Sequence, residues 1–97
     1  MAPCVVTAVK MAKQAERDLT KCPSYIISKF KYWVGLVEVF GLHSAQKIKG
    51  FHDEPLKGSR VRQRSIRLNK NYRVIYTILR DGLLAFVLVL EVNKHEY

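Results

Sequence analysis

Cysteines, acidic residues and long hydrophobic runs are all scarce in this chain of 97 residues. The two cysteines, Cys4 and Cys22, are too few for a disulfide scaffold and too far apart for a CxxC site. We therefore expect a reducing, cytoplasmic setting. No apolar run approaches the roughly 20 residues that span a bilayer, and the first residues lack the pattern of a secretion signal. The sequence thus predicts no membrane association.

The shortage of acidic residues leaves a large positive charge. Eight Asp and Glu residues stand against 17 Lys and Arg residues, for a net charge of +9. On a domain this small, such a charge attracts phosphate backbones, acidic membranes or an acidic protein partner. Most of the excess lies after residue 56, where 9 basic residues accompany only 3 acidic ones. We therefore expect the anion-binding face in the C-terminal part.

Two amphipathic helices are expected in the N-terminal half. Apolar residues recur every fourth position between residues 10 and 21, and Pro23 ends that pattern. A second helical period covers residues 24–40, and Gly41 fits its end. The aromatic side chains of this second helix, including Trp33, are expected to pack in the core.

Strands are expected at residues 4–9, 61–68, 72–79 and 83–92, because these segments are rich in β-branched and aromatic residues or alternate in polarity. The sequences NKN and RDG between the last three favour hairpin turns. Residues 84–90 contain no polar side chain, so the last strand should be central. The sequence predicts a single α+β domain spanning residues 1–97, with two N-terminal helices packed on a twisted antiparallel sheet of about four strands.

Arginines cluster along the first two strands of the predicted meander. If Ile66 points into the core, Ser65 and Arg67 point outwards together, because side chains alternate along a strand. Arg73, on the next strand about 4.8 Å away, can then share a face with Arg67 and grip one phosphate. The alternative is a solvated basic edge that discourages aggregation.

The last residues of the chain carry groups that suit RNA chemistry. His95 is a side-chain type that transfers protons, and Tyr97 is an aromatic ring on which a base can stack. Both follow directly from the predicted central strand, so their attachment point is fixed. No metal site is expected, because the three histidines do not fall at metal-binding spacing, and no nucleophile elbow surrounds a serine or cysteine.

Three segments resemble the RelE/ParE superfamily of toxins, and most closely its HigB- and YoeB-like ribonucleases: FHDEPLKG, RSIRLNKNYRVIY and EVNKHEY. The segments AERDLTKCP and KYWVGLVEVFGL stand where that family has its two N-terminal helices, so the resemblance covers nearly the whole chain. It implies a RelE-like fold and a toxin neutralised by a cognate antitoxin. It also implies cleavage of messenger RNA in the ribosomal A site without a metal or cofactor.

The resemblance also implies roles for individual residues. Glu54 matches a glutamate used as general base, and Lys57 matches a nearby lysine. Arg67 stands where RelE-like members have a catalytic lysine, and Arg73 matches the arginine that holds the scissile phosphate. His95 and Tyr97 resemble the terminal acid and the stacking or orienting aromatic. Further contacts to RNA are expected from five basic residues: Arg60, Arg62, Arg64, Lys70 and Lys94.

Several alternatives stay open at this point. Lys57 or His52, instead of Glu54, can be the general base. A ParE-type toxin that binds DNA gyrase has the same scaffold without nuclease activity, and a non-catalytic basic module that binds RNA or a partner is a third possibility. The expected partners are the antitoxin and the ribosome with bound messenger RNA.

Overall fold

The computed structural model describes residues 6–94, which form an α+β domain. The helices are α1 (Lys13–Thr20), α2 (Ser24–Phe40) and α3 (Leu42–Gln46), with short 3₁₀ turns at Lys49–Phe51 and Gly58–Arg60. The strands are β1 (Ala8–Met11), β2 (Glu54–Pro55), β3 (Gln63–Arg67), β4 (Tyr72–Asp81) and β5 (Leu84–Lys94). None of these helices is long and apolar enough to cross a membrane.

The five strands form one sheet in the order β1-β5-β4-β3-β2. The hairpins of β3, β4 and β5 are antiparallel, as the turn sequences predict. β5 is internal, between β1 and β4, but the middle strand of the five is β4. The α+β class is thereby confirmed. The sheet differs from the expected one in having five strands and in being mixed, because β1 pairs in parallel with β5. The helices between β1 and the meander supply the long crossover that a parallel pair needs.

Helix α2 packs one side against the sheet. Its buried residues Ile26, Phe30, Trp33 and Val37 recur at helical spacing, and the helix ends at Gly41, whose φ of 89° is readily adopted only by glycine. Trp33 is completely buried, with its ring centroid 5.4 Å from that of Tyr76 on β4. The prediction that this tryptophan belongs to the core is confirmed.

The two faces of the sheet have different environments. Ile66, Val74 and Tyr76 belong to the core that the helices cover. The alternating residues Arg67 and Arg73 therefore lie on the opposite face. Ser65 and Ile75 lie on that face too and are buried, so the two arginines stand beside a partly covered surface.

Helix α1 fixes the end of β5 that lies nearest these arginines. The pairing of β1 with β5 stops at Met11 and Val89, and beyond it the backbone N–H of Val92 donates a 2.9 Å hydrogen bond to Oδ2 of Asp18. The other oxygen, Oδ1, accepts a hydrogen bond from Gln14. Asp18 therefore continues the hydrogen bonding of β5 where β1 ends.

Candidate active site

A pocket of about 180 Å³ lies at the end of the sheet where β3 turns into β4. It is lined by Glu54, Ser65, Arg67, Asn69, Lys70, Tyr72 and Arg73. Four of these residues were expected to act at the site from sequence: Glu54, Lys70, Arg67 and Arg73. Ser65, Asn69 and Tyr72 were not.

Arg67 and Arg73 lie directly opposite each other on β3 and β4. Like charges in this arrangement repel and destabilise a sheet. Arg67 is exposed, whereas Arg73 is half-buried and its Nε is buried without a hydrogen-bond partner among residues 6–94. An anion between the two guanidinium groups would relieve the repulsion and provide the missing acceptor.

The turn between β3 and β4 is fixed by Asn69. Its side-chain Oδ1 accepts hydrogen bonds of 2.8 Å from the backbone N–H groups of both Asn71 and Tyr72. The N–H of Leu68 donates a 2.8 Å hydrogen bond to the carbonyl of Tyr72 across the same turn. This side-chain turn, a common use of asparagine, holds Lys70 at the rim of the pocket.

Glu54 reaches the pocket from the edge strand β2. It pairs with Ser65 of β3, two residues before Arg67 on the same face. Its side chain is exposed and lines the pocket with the two arginines. A carboxylate and two guanidinium groups therefore share one small cavity.

The alternative bases lie elsewhere. Lys57 is exposed just before the second 3₁₀ turn and does not line the pocket. His52 is also exposed, adopts a left-handed conformation with φ of 48°, and does not line the pocket. Of the three candidate bases, the structure brings only Glu54 to the arginines.

Two of the arginines expected to bind RNA form ion pairs with acidic side chains. Arg60 contacts Glu91 of β5 at 3.1 Å, and Arg64 contacts the buried carboxylate of Asp53 at 2.6 Å. Burial by itself would lower the pKa of Arg64, but the hydrogen bond and the charge of Asp53 outweigh it and raise that pKa. Neither arginine lines the pocket.

The other predicted residues lie around or beyond the pocket. Arg62 is exposed before β3, and Lys94 is exposed at the end of β5. Lys94 lines a separate groove with Asp18, Tyr72 and Asn93 among others. His95 and Tyr97 fall outside the residues that the structure describes. Between residues 6 and 94, no three His, Cys, Asp or Glu side chains cluster closely enough to hold a metal ion.

Comparison with known proteins gives one family. The model described as "ParE toxin of type II toxin-antitoxin system, parDE" matches residues 9–96. No curated protein sequence matches the chain. Among solved structures, YafQ from Escherichia coli has a TM-score of 0.69 and 18% identity, covering 89% of this chain and 90% of YafQ.

Two further solved structures have the same fold. The toxin-antitoxin complex RelBE2 from Mycobacterium tuberculosis contains a chain with a TM-score of 0.64 and 26% identity, covering 91% of this chain and 96% of that one. A YoeB/ParE toxin from Agrobacterium tumefaciens has a TM-score of 0.65 and 16% identity, covering 92% and 99%. The family match extends over nearly the whole chain, so this protein belongs to the ParE toxin family of type II toxin-antitoxin systems, within the RelE/ParE superfamily.

Proposed function

We propose that this toxin is an endoribonuclease that cleaves messenger RNA on the ribosome, by attack of a ribose 2′-OH on the adjacent phosphate. The single observation that carries the proposal is the pair of facing arginines, Arg67 and Arg73, beside the carboxylate of Glu54 in one pocket.

The two arginines bind the scissile phosphate. Guanidinium groups donate paired hydrogen bonds to phosphoryl oxygens, and Arg73 has a buried Nε that lacks an acceptor among residues 6–94. During the attack, negative charge builds up on the non-bridging oxygens. Fixed cations beside those oxygens stabilise the transition state more than the ground state, which is usually a large part of catalysis.

Glu54 is the general base in this proposal, and His95 is the general acid. Glu54 takes the proton of the 2′-OH as the oxygen forms its bond to phosphorus, and His95 gives a proton to the departing 5′-oxygen. The products are a 2′,3′-cyclic phosphate and a 5′-hydroxyl. Each such proton transfer typically contributes about 10²–10⁴-fold to the rate.

The tail that carries the acid begins close to the arginines. Asn93 of β5 pairs with Arg73 of β4, and His95 follows Asn93 by two residues. Tyr97 follows His95 by two residues and supplies a ring for stacking a base. We assign both roles on this proximity and on the resemblance of the terminal segment to ribonuclease toxins.

The proposed partners, RNA on the ribosome and an antitoxin, are both expected to contact the basic surface around the pocket. Lys70 at the pocket rim, together with the exposed Arg62 and Lys94, gives the RNA backbone further cations to contact. An antitoxin that neutralises the toxin is expected to cover this surface with acidic segments, because burying so much positive charge without counter-charge is costly. RelBE2 is itself a toxin-antitoxin complex. Toxin and ribosome would meet in the cytoplasm.

Replacement of Arg73 by alanine tests the proposal. Arg73→Ala should relieve growth arrest and abolish new 5′ ends within translated codons, mapped after a short induction of the toxin. Arg80→Ala is the matched control, because Arg80 is an exposed arginine on the same strand, outside the pocket. Equal toxicity of the two variants, with unchanged RNA ends, would refute the site.

A second function is favoured by the family match, whose model is that of ParE toxins. A ParE-type toxin acts on DNA gyrase and not on RNA. It predicts an SOS response to DNA damage after induction, and no new transcript ends. The same induced culture therefore separates the two functions, since each predicts a signal that the other lacks.

A further inference from the structure

Asp53 is a buried carboxylate that the proposed reaction does not use. It lies between His52, which has a left-handed backbone, and Glu54, the first residue of β2. Its side chain is 0% exposed to solvent. Burying a carboxylate costs free energy unless both of its oxygens are hydrogen-bonded, so Asp53 requires partners on both oxygens.

Both oxygens of Asp53 are bonded to separate elements. Oδ1 accepts a 2.6 Å hydrogen bond from Nε of Arg64 on β3, and Oδ2 accepts one from the hydroxyl of Tyr76 on β4. The same hydroxyl accepts a 3.1 Å hydrogen bond from Nε2 of Gln46 on α3. Because the Tyr76 ring also packs against Trp33 of α2, Asp53 is tied to both the sheet and the helical layer.

The edge strand next to Asp53 is weakly held by its own backbone. β2 has two residues, which pair with Ser65 and Arg64 of β3. One of them, Pro55, has no N–H to donate to the ladder. The N–H of Leu56 then donates a 2.9 Å hydrogen bond to the carbonyl of Gln63. So short a ladder holds its register poorly unless a side chain adds to it.

We propose that Asp53 is a positioning residue that holds the carboxylate of Glu54 at the pocket. Asp53 immediately precedes β2, and Arg64 and Tyr76 hold its carboxylate on the core face. It therefore fixes the point at which the chain enters the strand where Glu54 pairs with Ser65. The inference rests on the proposed function, in which Glu54 is the base. It assigns to Asp53 no contact with the RNA.

This role predicts a specific kinetic signature. Loss of the anchor leaves Arg67 and Arg73 on β3 and β4, whose pairing does not involve β2, so KM for RNA should stay within about twofold. The rate constant of cleavage should fall about 10- to 100-fold, because a misplacement of about 1 Å of a reacting group has effects of that size. A purely structural role would lower the amount of folded protein instead.

A double-mutant cycle tests the inference. Cleavage of messenger RNA bound to ribosomes is measured for wild type, Asp53→Asn, Glu54→Gln and the double variant, with thermal unfolding recorded for each. If Asp53 acts through Glu54, Asp53→Asn lowers kcat in the wild-type background but has no further effect once Glu54 is Gln. The same factor in both backgrounds, or no loss in either, would overturn the inference.

Tyr76→Phe provides a second route that does not disturb the charge of Asp53. It removes the hydroxyl that donates to Asp53 and keeps the buried ring, and the same cycle with Glu54→Gln should show the same loss of additivity. The Tyr76→Phe variant can therefore test the inference even if Asp53→Asn does not fold. Absence of cleavage by wild-type protein would refute the proposed function itself. If the wild-type protein cleaves RNA, but the substitutions lower kcat by the same factor with Glu54 and with Gln at position 54, only the role of Asp53 is refuted.

Discussion

Replacing Arg67 with glutamine should make the protein more stable and less active at the same time. Arg67 faces Arg73 across β3 and β4, and no described residue forms an ion pair with either arginine. The free protein therefore holds two like charges opposite each other, an arrangement that is unfavourable until an anion binds. Glutamine keeps much of the side-chain length and removes one charge.

The size of the effect follows from the exposure of the pair. Unit charges about 5 Å apart in a water-like medium repel by about 0.8 kcal/mol, and directly opposed cross-strand pairs contribute about 0.2–1 kcal/mol. We therefore expect Arg67→Gln to raise the free energy of unfolding by about 0.5–1 kcal/mol at low salt. For a domain of this size, that corresponds to a rise in Tm of about 2–8 °C. Cleavage of RNA should fall in the same variant.

The measurement is urea unfolding at about 20 mM and at about 1 M sodium chloride. At about 1 M salt the electrostatic screening length is only about 3 Å, so the repulsion between the two arginines is largely removed. Urea is chosen because guanidinium chloride would itself screen the charges. Arg80→Gln is the matched control, since Arg80 lies on the same strand opposite Ala85 and faces no cation. Two results would contradict the reasoning: a stability gain that persists at high salt, or an equal gain in the control.

Three further predictions concern the pocket, the buried Trp33 and the buried Tyr76. Inorganic phosphate should raise the Tm of the wild-type protein and have a smaller effect on Arg73→Ala, in a thermal shift titration at constant ionic strength, because only the wild type has both guanidinium groups at the pocket. Trp33→Ala should lower the free energy of unfolding by about 3–5 kcal/mol in urea, because the ring is completely buried. Burial, and then the hydrogen bond to Asp53, raise the pKa of Tyr76 in the folded protein above its ordinary value of 10.0. The unfolded chain therefore loses this proton first, so stability falls above pH 10, by up to about 1.4 kcal/mol per pH unit, and Tyr76→Phe should show a smaller fall in urea titrations across that range.

The features that the sequence predicted are those encoded by local periodicity. Helix α2 follows the helical spacing of Ile26, Phe30, Trp33 and Val37, and these same residues are buried. The opposed placement of Arg67 and Arg73 follows from strand alternation and one short turn. Neither inference needs a contact between distant parts of the chain.

The same alternation also separates arginines that looked like one cluster. Arg64 and Arg67 differ by three positions along β3, so they lie on opposite faces, and Arg64 is held by Asp53. Counting basic residues along the sequence groups these arginines together, because a count does not show to which face of the sheet each side chain points. The pairing of Arg64 with Asp53 joins residues 11 positions apart in sequence, through a segment without any regular period.

The parts of the sheet that could not be predicted depend on long-range pairing. β1 was expected as a strand, but its parallel alignment with β5 joins Ala8 to Phe86 and has no local signal. β2 has only two residues, too few to show a period of two. Among the pocket residues that were not predicted, Asn69 had a usable signal, since asparagine commonly closes a turn onto its own backbone.

The internal position of β5 in the sheet has a consequence for how the chain acquires its structure. Among the strands between residues 6 and 94, β5 comes last in sequence, yet it lies between β1 and β4 and pairs with both. A nascent chain in which β5 is still inside the ribosome has no partner for β1 and only one for β4, so its hydrophobic layer cannot close. Contacts between such distant segments also form slowly, because a long loop must be ordered first. Synthesis of β5 therefore sets the earliest moment at which the hydrophobic layer of this fold can close.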